Sequence, residues 1–268
     1  MLFLEKYDIQ QKLCETGSSL IYKAHFPDKN NAVIVKVEKI TNNTYLLNET
    51  KIRKFLQGTY GISPLIDYGI FQTKRFIVYP HMEKTLQKFW MKEYEVFECA
   101  YQLLSILQDI HGKGVVHCDI STRNILVNNN SSKKQYYLND FGQSQHFSYG
   151  LQEKRKEGLK GCPMFCSCHV HEGADYSPRD DLISLGFVLV YCFQKGLSWC
   201  GINNCKDIFE KKQEFKENFW NEEIPQDLKI YINYCFHLGI NEKPNYKMLR
   251  ELFFQKLSSA DNEINIGT

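Results

Sequence analysis

The chain has 268 residues, 43% hydrophobic and 24% charged, enough to bury a core as one unit or as two apposed lobes. Its formal net charge of +2 is too small to argue for nucleic acid or membrane binding, since such partners usually leave a concentrated basic face, and no nucleic-acid partner is expected. No stretch approaches the roughly 20 apolar residues of a membrane span, the start MLFLEKYDIQ becomes charged too early for a secretory signal, and the ten cysteines read as reduced thiols, so a cytoplasmic or nuclear protein is expected.

Taken in chain order, Ile21-Tyr22-Lys23-Ala24 follows a turn-rich segment and predicts a strand, and the β-branched run from Ala32 to Val37, which contains Lys36, predicts another. A helix is expected from Tyr45 to Leu56, with Leu46, Leu47 and Ile52 on its apolar side and Glu49 among the polar neighbours. Arg75 to Tyr79 reads as a strand leading to Pro80, where the missing N–H and fixed φ favour a break or an edge. A boundary between two lobes is placed there. Val96, Phe97, Ala100, Leu103, Leu104, Leu107 and Ile110 recur at helical spacing and predict a buried helix, stopped by Gly112 and Gly114. Ile125-Leu126-Val127 and Tyr136-Tyr137-Leu138 flank the polar insert NNNSSKKQ and predict a hairpin. Asp181 to Phe193 again suits a buried helix, EKKQEFKENFWNEE reads as a charged, solvated segment, and SSADNEINIGT as a frayed tail.

Four signals follow one another in order: Val33-Ile34-Val35-Lys36, then Glu49, then His117-Cys118-Asp119 with Asn124, then Asp140-Phe141-Gly142. Singly each is weak, since a lysine on a strand is usually a solvated edge residue. Jointly they resemble the protein-kinase signature set, with the lysine on a strand, the glutamate on the next helix and the two acidic motifs bracketing a hairpin. Phosphoryl transfer depends on positioning and charge neutralisation, which calls for cations near the phosphates and carboxylates to hold a metal. The resemblance implies that Lys36 contacts the α- and β-phosphates of ATP, that Glu49 orients Lys36, that Asp140 and Asn124 hold magnesium, and that Asp119 accepts the proton of the substrate hydroxyl. It further implies that Leu13 and Ile21 line the nucleotide site, and that the hinge offers the Pro80 carbonyl and the Met82 N–H.

Within that family the chain resembles the casein kinase I group over about residues 10 to 257. Gly161 to Gly173 stands where the group carries Gly-Thr-Ala-Arg-Tyr-Ala-Ser-Ile-Asn followed by Thr-His-Leu-Gly, with Ser167 in place of the group's serine. Arg179-Asp180-Asp181-Leu182-Ile183-Ser184-Leu185-Gly186, Lys243-Pro244-Asn245-Tyr246 and Leu249-Arg250 match further motifs of that group. The implied architecture is α+β and bilobal, with a β-rich lobe over residues 1–80, a mainly helical lobe over 81–257 and a flexible tail over 258–268; the implied partner is a protein substrate with a serine or threonine acceptor.

The chain also departs from the pattern. The glycine-rich loop aligns with Cys14-Glu15-Thr16-Gly17-Ser18-Ser19 and lacks all three glycines, Ile34 replaces the small residue facing adenine, and Tyr79 is bulky before the hinge. A narrow nucleotide pocket with a weaker phosphate grip is expected. Cys118 replaces the arginine that receives an activation-segment phosphate, Met164 replaces an arginine used for primed substrates, and Ser121 replaces the lysine that touches the γ-phosphate. Arg123, four residues after Asp119 as in tyrosine kinases, is read as the substitute cation. His117 is read as part of the catalytic-loop scaffold, and Trp90, Trp199 and Trp220 as packing residues. Cys162, Cys166, Cys168, His169 and His171 carry enough soft ligands for zinc, but their spacing is not a common structural-zinc pattern, and packing in the substrate-docking loop is preferred. The function expected is protein phosphorylation. The alternatives are a pseudokinase that binds nucleotide or scaffolds, suggested by the altered loop, Ile34 and Ser121, and a small-molecule phosphotransferase.

Overall fold

The computed structural model describes residues 2–3, 6–16, 19–26, 29–40, 44–82, 84–129, 134–150 and 159–266. Residues up to Pro80 build a six-stranded antiparallel sheet from β1 (Leu2–Phe3), β2 (Tyr7–Glu15), β3 (Ser19–Phe26), β4 (Lys29–Lys39), β5 (Asp67–Phe71) and β6 (Lys74–Pro80), in the order β1-β2-β3-β4-β6-β5. The β-branched run of β4 explains its central place, since side chains of that shape pack on a pleated surface covered on both sides. Val33, Val35 and Val37 point to one face, where they join Tyr7, Ala24, Phe76 and Val78 in a small core. Ile34 points to the other and packs with Leu46, Ile77 and Tyr79. Helix α1 (Tyr45–Phe55) lies on that second face.

Two expectations for this half are corrected. Pro80 does not break β6: it is the strand's last residue, paired with Val33, and the ladder continues one step as the His81 N–H donates to the Ala32 carbonyl at 3.1 Å. Proline is tolerated because it sits at the end of the strand. Glu49 does not lie on a polar side of α1. It is fully buried, on the same face as Leu46 and Ile52, because buried cations meet it there.

The remainder is mainly helical. A short β7 (Lys84–Thr85) and a 3₁₀ turn, Leu86–Lys88, lead to α2 (Glu93–Gly112), whose start is closed by Glu95 accepting from the Lys92 N–H at 2.8 Å. Then come β8 (Val115–Val116), the hairpin β9 (Ile125–Asn128) and β10 (Gln135–Leu138), β11 (Gln145–His146), α3 (Cys168–His171), α4 (Pro178–Gln194), α5 (Cys205–Asn218), a 3₁₀ turn Phe219–Asn221, α6 (Gln226–His237) and α7 (Tyr246–Ile266). The hairpin pairs Leu126 with Tyr137, as the two apolar runs predict, although part of its linker lies outside the described residues. The large core is centred on α2 and α4, where Leu103, Leu104, Leu107, Leu182, Leu185 and Phe187 are buried. Fully burying such a side chain contributes about 1.5–3 kcal/mol each.

α4 starts three residues before Asp181, because Ser177 caps it and Pro178 occupies its first turn, where proline's missing N–H costs nothing. The segment read as solvated, residues 210–223, is instead the second half of α5 and the turn after it, with Phe215, Phe219 and Lys212 buried. α7 continues to Ile266, into the stretch expected to fray. Among the described residues no helix is long and apolar enough to cross a membrane.

Candidate active site

A line of alternating charges crosses the interior between β4, α1 and the Asp140-Phe141-Gly142 turn. Lys36 Nζ donates to Glu49 Oε2 at 2.8 Å and to Asp140 Oδ1 at 2.9 Å, while Arg53 Nε donates to Glu49 Oε1 at 2.9 Å. Burial alone would lower the Lys36 pKa, but Glu49 and Asp140 together raise it well above that of an ordinary lysine. Burial pushes Asp140 up, and the Lys36 ammonium outweighs this, holding its carboxyl below the usual aspartate range. Asp140 takes a left-handed backbone (φ 59), and its Oδ1 also accepts from the Gly142 N–H at 3.3 Å. Helix α1 is tied to the same turn by Asn48, whose Nδ2 donates to the Gly142 and Ser144 carbonyls at 3.0 and 2.8 Å.

The opposite wall is the loop between β8 and β9. Its backbone is fixed from below by Asp181 on α4, which accepts from the His117 and Cys118 N–H groups at 2.6 and 2.9 Å and from His111 at 2.9 Å. Those bonds hold Cys118 in a left-handed conformation (φ 66) that a side-chain-bearing residue rarely adopts without such support. Burial raises the Asp181 pKa, but the His111 hydrogen bond and the surrounding donors bring it below the usual range. His117 is fully buried: its ring lies edge-on to Phe141, Nε2 donates to the Asn139 carbonyl at 3.0 Å, and Nδ1 accepts from the Asp119 N–H at 3.3 Å. Both ring nitrogens are thereby used in bracing the loop.

Asp119 follows. Its Oδ2 accepts from Asn124 Nδ2 at 2.9 Å, whereas Oδ1 is buried with no hydrogen-bond partner among the described residues. Burial raises its pKa. A carboxylate oxygen left in this state retains a lone pair for a proton or a donor. Asn124 Nδ2 also donates to the Asp119 carbonyl at 2.8 Å, which leaves the amide oxygen as the ligand end of that side chain. Arg123 is exposed, forms no ion pair with a described carboxylate, and contributes a field that favours ionised Asp119. Ser121 is buried at the spot where a lysine was expected.

Toward the sheet, Thr16 and Ser19 close the turn between β2 and β3: the Thr16 N–H donates to the Ser19 carbonyl at 2.9 Å, and Thr16 Oγ1 accepts from the Ser19 N–H at 3.0 Å. Gly17 and Ser18, between them in the sequence, lie outside the described residues. Leu13 occupies a register shift of the β2–β3 ladder and is 42% exposed, so it is not enclosed; Ile21 is partly buried and packs with the group that contains Ile34 and Tyr79. Pro80 and Met82 sit at the end of β6 and just past it, both partly buried. Lys36, Glu49, Asp119, Asn124 and Asp140 are therefore brought together, while Leu13 stays at the margin.

Beyond Phe141, packing and hydrogen bonds hold the described part of the chain. Cys118 packs with Val116, Cys166, Val170 and Tyr176, and Gly161 passes so close that a Cβ there would lie 2.4 Å from the Cys118 carbonyl oxygen. Ser144 is buried, its hydroxyl on the His117 carbonyl at 3.1 Å, which removes it from the accessible hydroxyls. Lys154, Arg155 and Lys156, the basic residues of the sequence that could receive a phosphate in place of Cys118, lie outside the described residues. Ser167 caps α3 and donates to Asp180 at 2.6 Å. Met164 is partly buried, and its carbonyl accepts from the Trp199 indole at 2.8 Å; Trp199 is fully buried, whereas Trp90 and Trp220 are 48% and 45% exposed. Lys212 is fully buried and donates to the Pro163 and Cys166 carbonyls at 2.7 and 2.6 Å. Burial together with the Lys212 cation lowers His171 to about 4, so its imidazole is neutral near pH 7. Among the described residues no group of three or more His, Cys, Asp or Glu is arranged to hold a metal, and all ten cysteines are free thiols.

Arg53, Asn48, Asn139 and Lys212 escaped the sequence reading. For Arg53 a signal existed, since it stands four residues after Glu49 on the same helix.

The family model described as protein kinase domain matches residues 7–254. The chain therefore belongs to the protein kinase family, and the sheet with its helix and the helical remainder are the two parts of the bilobal α+β kinase fold.

Proposed function

We propose that this kinase domain is catalytically active, moving the γ-phosphoryl group of ATP to a serine or threonine hydroxyl of a protein, in the manner of the casein kinase I group. The observation that carries this reading is the buried Oδ1 of Asp119, without a hydrogen-bond partner among the described residues and within the electrostatic reach of Asp140 in the assembled Lys36–Glu49–Asp140 set. A scaffold needs neither. A buried carboxylate oxygen without a donor is costly, and a hydroxyl donor from a substrate would satisfy it while handing over its proton.

The residues present fit ATP and a divalent metal. Asp140, whose side chain is 36% exposed, and the amide oxygen of Asn124 form an all-oxygen donor set suited to magnesium, which takes few protein ligands and keeps several waters. When bound, the metal would neutralise charge on the phosphates. Lys36, kept charged by Glu49, serves the α- and β-phosphates. Asp119 orients the hydroxyl and takes its proton, with Asn124 holding its second oxygen. The Pro80 carbonyl and Met82 N–H are assigned to adenine, with Ile21 and Ile34 narrowing its slot and Leu13 at the rim. Arg123, exposed and without a carboxylate partner among the described residues, supplies the cation that Ser121 lacks. The serine or threonine acceptor rests on the motif around Ser167 and on the Arg179-Asp180-Asp181 run, where Asp180 and Asp181 are fully buried anchors.

A nucleotide-binding scaffold is the second reading, favoured by the Thr16–Ser19 turn, whose side-chain hydrogen bond occupies a position where glycine would expose backbone to phosphate. The two separate on incubation with labelled ATP, magnesium and a mixed acidic protein substrate, beside Asp140→Ala. Label on phosphoserine or phosphothreonine that vanishes in the variant supports the enzyme. No transfer by either protein, with a nucleotide-induced thermal shift retained, supports the scaffold.

A further inference from the structure

We propose that Arg53 is a positioning residue for phosphoryl transfer, fixing Glu49 and the segment that carries Asp140 through one buried guanidinium. The proposal rests on the active-kinase reading for its kinetic consequence, and on geometry alone for its structural one.

Arg53 is 2% exposed and among the largest fully buried side chains. Its donors go to three separate segments: Nε to Glu49 Oε1 on α1 at 2.9 Å, Nη1 to the Ser63 carbonyl at 2.8 Å, and Nη2 to the Asn139 side-chain oxygen. Its flat faces meet two rings, with the guanidinium carbon 4.9 Å from the centroid of Tyr79 and 5.5 Å from that of Phe141. Asn139 precedes Asp140 directly, and its amide also bonds the Tyr79 side chain. The guanidinium fork suits this task, because it presents several donors in one rigid plane and stacks on aromatic faces, which an ammonium does not.

Charge explains why the residue is tolerated in the interior. Glu49 gives one oxygen to Lys36 and the other to Arg53, and Lys36 reaches on to Asp140, so the series runs plus, minus, plus, minus and sums to zero. Without Arg53 the remaining three groups would carry a net negative charge inside the protein, and Glu49 would be free to turn about its Lys36 contact. With it, both carboxylate oxygens are pinned. Arg53 is also the one described side chain that hydrogen-bonds both to α1 and to the residue before Asp140, so movement of the helix is transmitted to that aspartate. A side chain in contact with neither nucleotide nor acceptor hydroxyl thereby sets the spacing of Lys36 and Asp140, and small misplacements of such groups cost heavily in rate.

The test combines kinetics with amide hydrogen exchange of the nucleotide-free protein, using Arg53→Met, Arg53→Lys, Glu49→Gln and the Arg53→Met/Glu49→Gln double variant. Arg53→Met is expected to lower kcat by about 10- to 100-fold, with a smaller change in the KM for ATP, and to speed exchange in both 45–55 and 139–142. Arg53→Lys should recover little, because it lacks the fork. In the Glu49→Gln background the methionine should add almost no further loss of kcat. Unchanged exchange in 139–142 on replacing Arg53 would overturn the proposal, as would full-rate kcat in Arg53→Met or losses that multiply in the double variant. If Arg53→Met does not fold, Asn139→Leu removes the acceptor on the Asp140 side, with Tyr79→Phe as the control for the Asn139–Tyr79 bond that is lost along with it. Faster exchange confined to 139–142 then supports the link, and wild-type exchange there refutes it. A wild-type protein that transfers no phosphate would defeat the kinase reading while leaving the exchange arm to decide this one.

Discussion

The two walls of the cleft are held by different forces. On the sheet side, side-chain charges fix the geometry: Arg53, Glu49 and Lys36 are buried and alternate in sign up to Asp140, whose side chain is partly exposed. On the other side the backbone is fixed: Asp181 accepts from two consecutive N–H groups, His117 braces Asn139, and an apolar group around Cys118 packs the following segment down. A wall held by charge is sensitive to one lost partner, because a buried ion without its counter-ion is strongly unfavourable. A wall held by backbone hydrogen bonds is set before any ligand or modification arrives. On the proposed reading the phosphate turn lies on the first side and the proton acceptor, Asp119, on the second, so nucleotide affinity and chemical rate should respond to different substitutions.

The largest effect should come from breaking the charged wall. Lys36→Met is expected to reduce turnover by about 10²–10⁴-fold, the range for groups that stabilise charge at the reacting centre, while circular dichroism remains that of a folded protein. Turnover within a factor of two of wild type would remove Lys36 from the site.

A smaller effect is expected from Arg123→Ala, which should lower kcat at least about tenfold, or ~1.4 kcal/mol of transition-state stabilisation. Adding Ser121→Lys should restore part of the rate. An unchanged kcat, or no recovery in the double variant, would show that Arg123 is only a surface residue.

On the phosphate turn, Thr16→Gly should lower the KM for ATP by about two- to fivefold with kcat nearly constant, since glycine lets the backbone approach phosphate at the cost of one local hydrogen bond. A change in kcat with constant KM would erase the proposed division of labour. The smallest response should follow phosphatase treatment. With Cys118, in place of a phosphate-receiving arginine, packed among apolar side chains and Ser144 buried, the initial rate should stay within experimental error. A strong loss would require a basic receiver elsewhere.

The residues proposed for the site could be picked out in the sequence because their spacing survives without three-dimensional information: a lysine on a β-branched run, a glutamate on the next helix, and two acidic motifs around a short hairpin, and the structure brings Lys36, Glu49 and Asp140 into contact. What the pattern misjudged were charges in the interior. Periodicity treats every Glu, Lys and Arg as a solvent marker, so it assigned Glu49 to a polar face and residues 210–223 to solvent. In fact Lys212 is buried on carbonyl oxygens, and Phe215 and Phe219 face the core beside it. The contact between Arg53 and Asn139 spans 86 positions, a distance over which one sequence carries no pairing signal. Arg53 alone could have been suspected, as the residue one helical turn beyond Glu49. The early start of α4 was readable too, in Ser177-Pro178 followed by Asp180.

The central claim is that Asp119 is the proton acceptor of an active phosphotransferase, and the pH dependence of kcat in wild type and Asp119→Asn tests it most directly. The base works only when ionised, and burial raises its pKa, so activity should be present above that pKa and be lost as pH falls through it. Wild type is predicted to show an acid limb centred above the ~3.9 of an ordinary aspartate. Asp119→Asn is predicted to bind nucleotide as wild type does, to turn over about 10²–10⁴-fold more slowly, and to lack that limb. An Asp119→Asn protein that keeps both the wild-type rate and the wild-type acid limb would contradict the account.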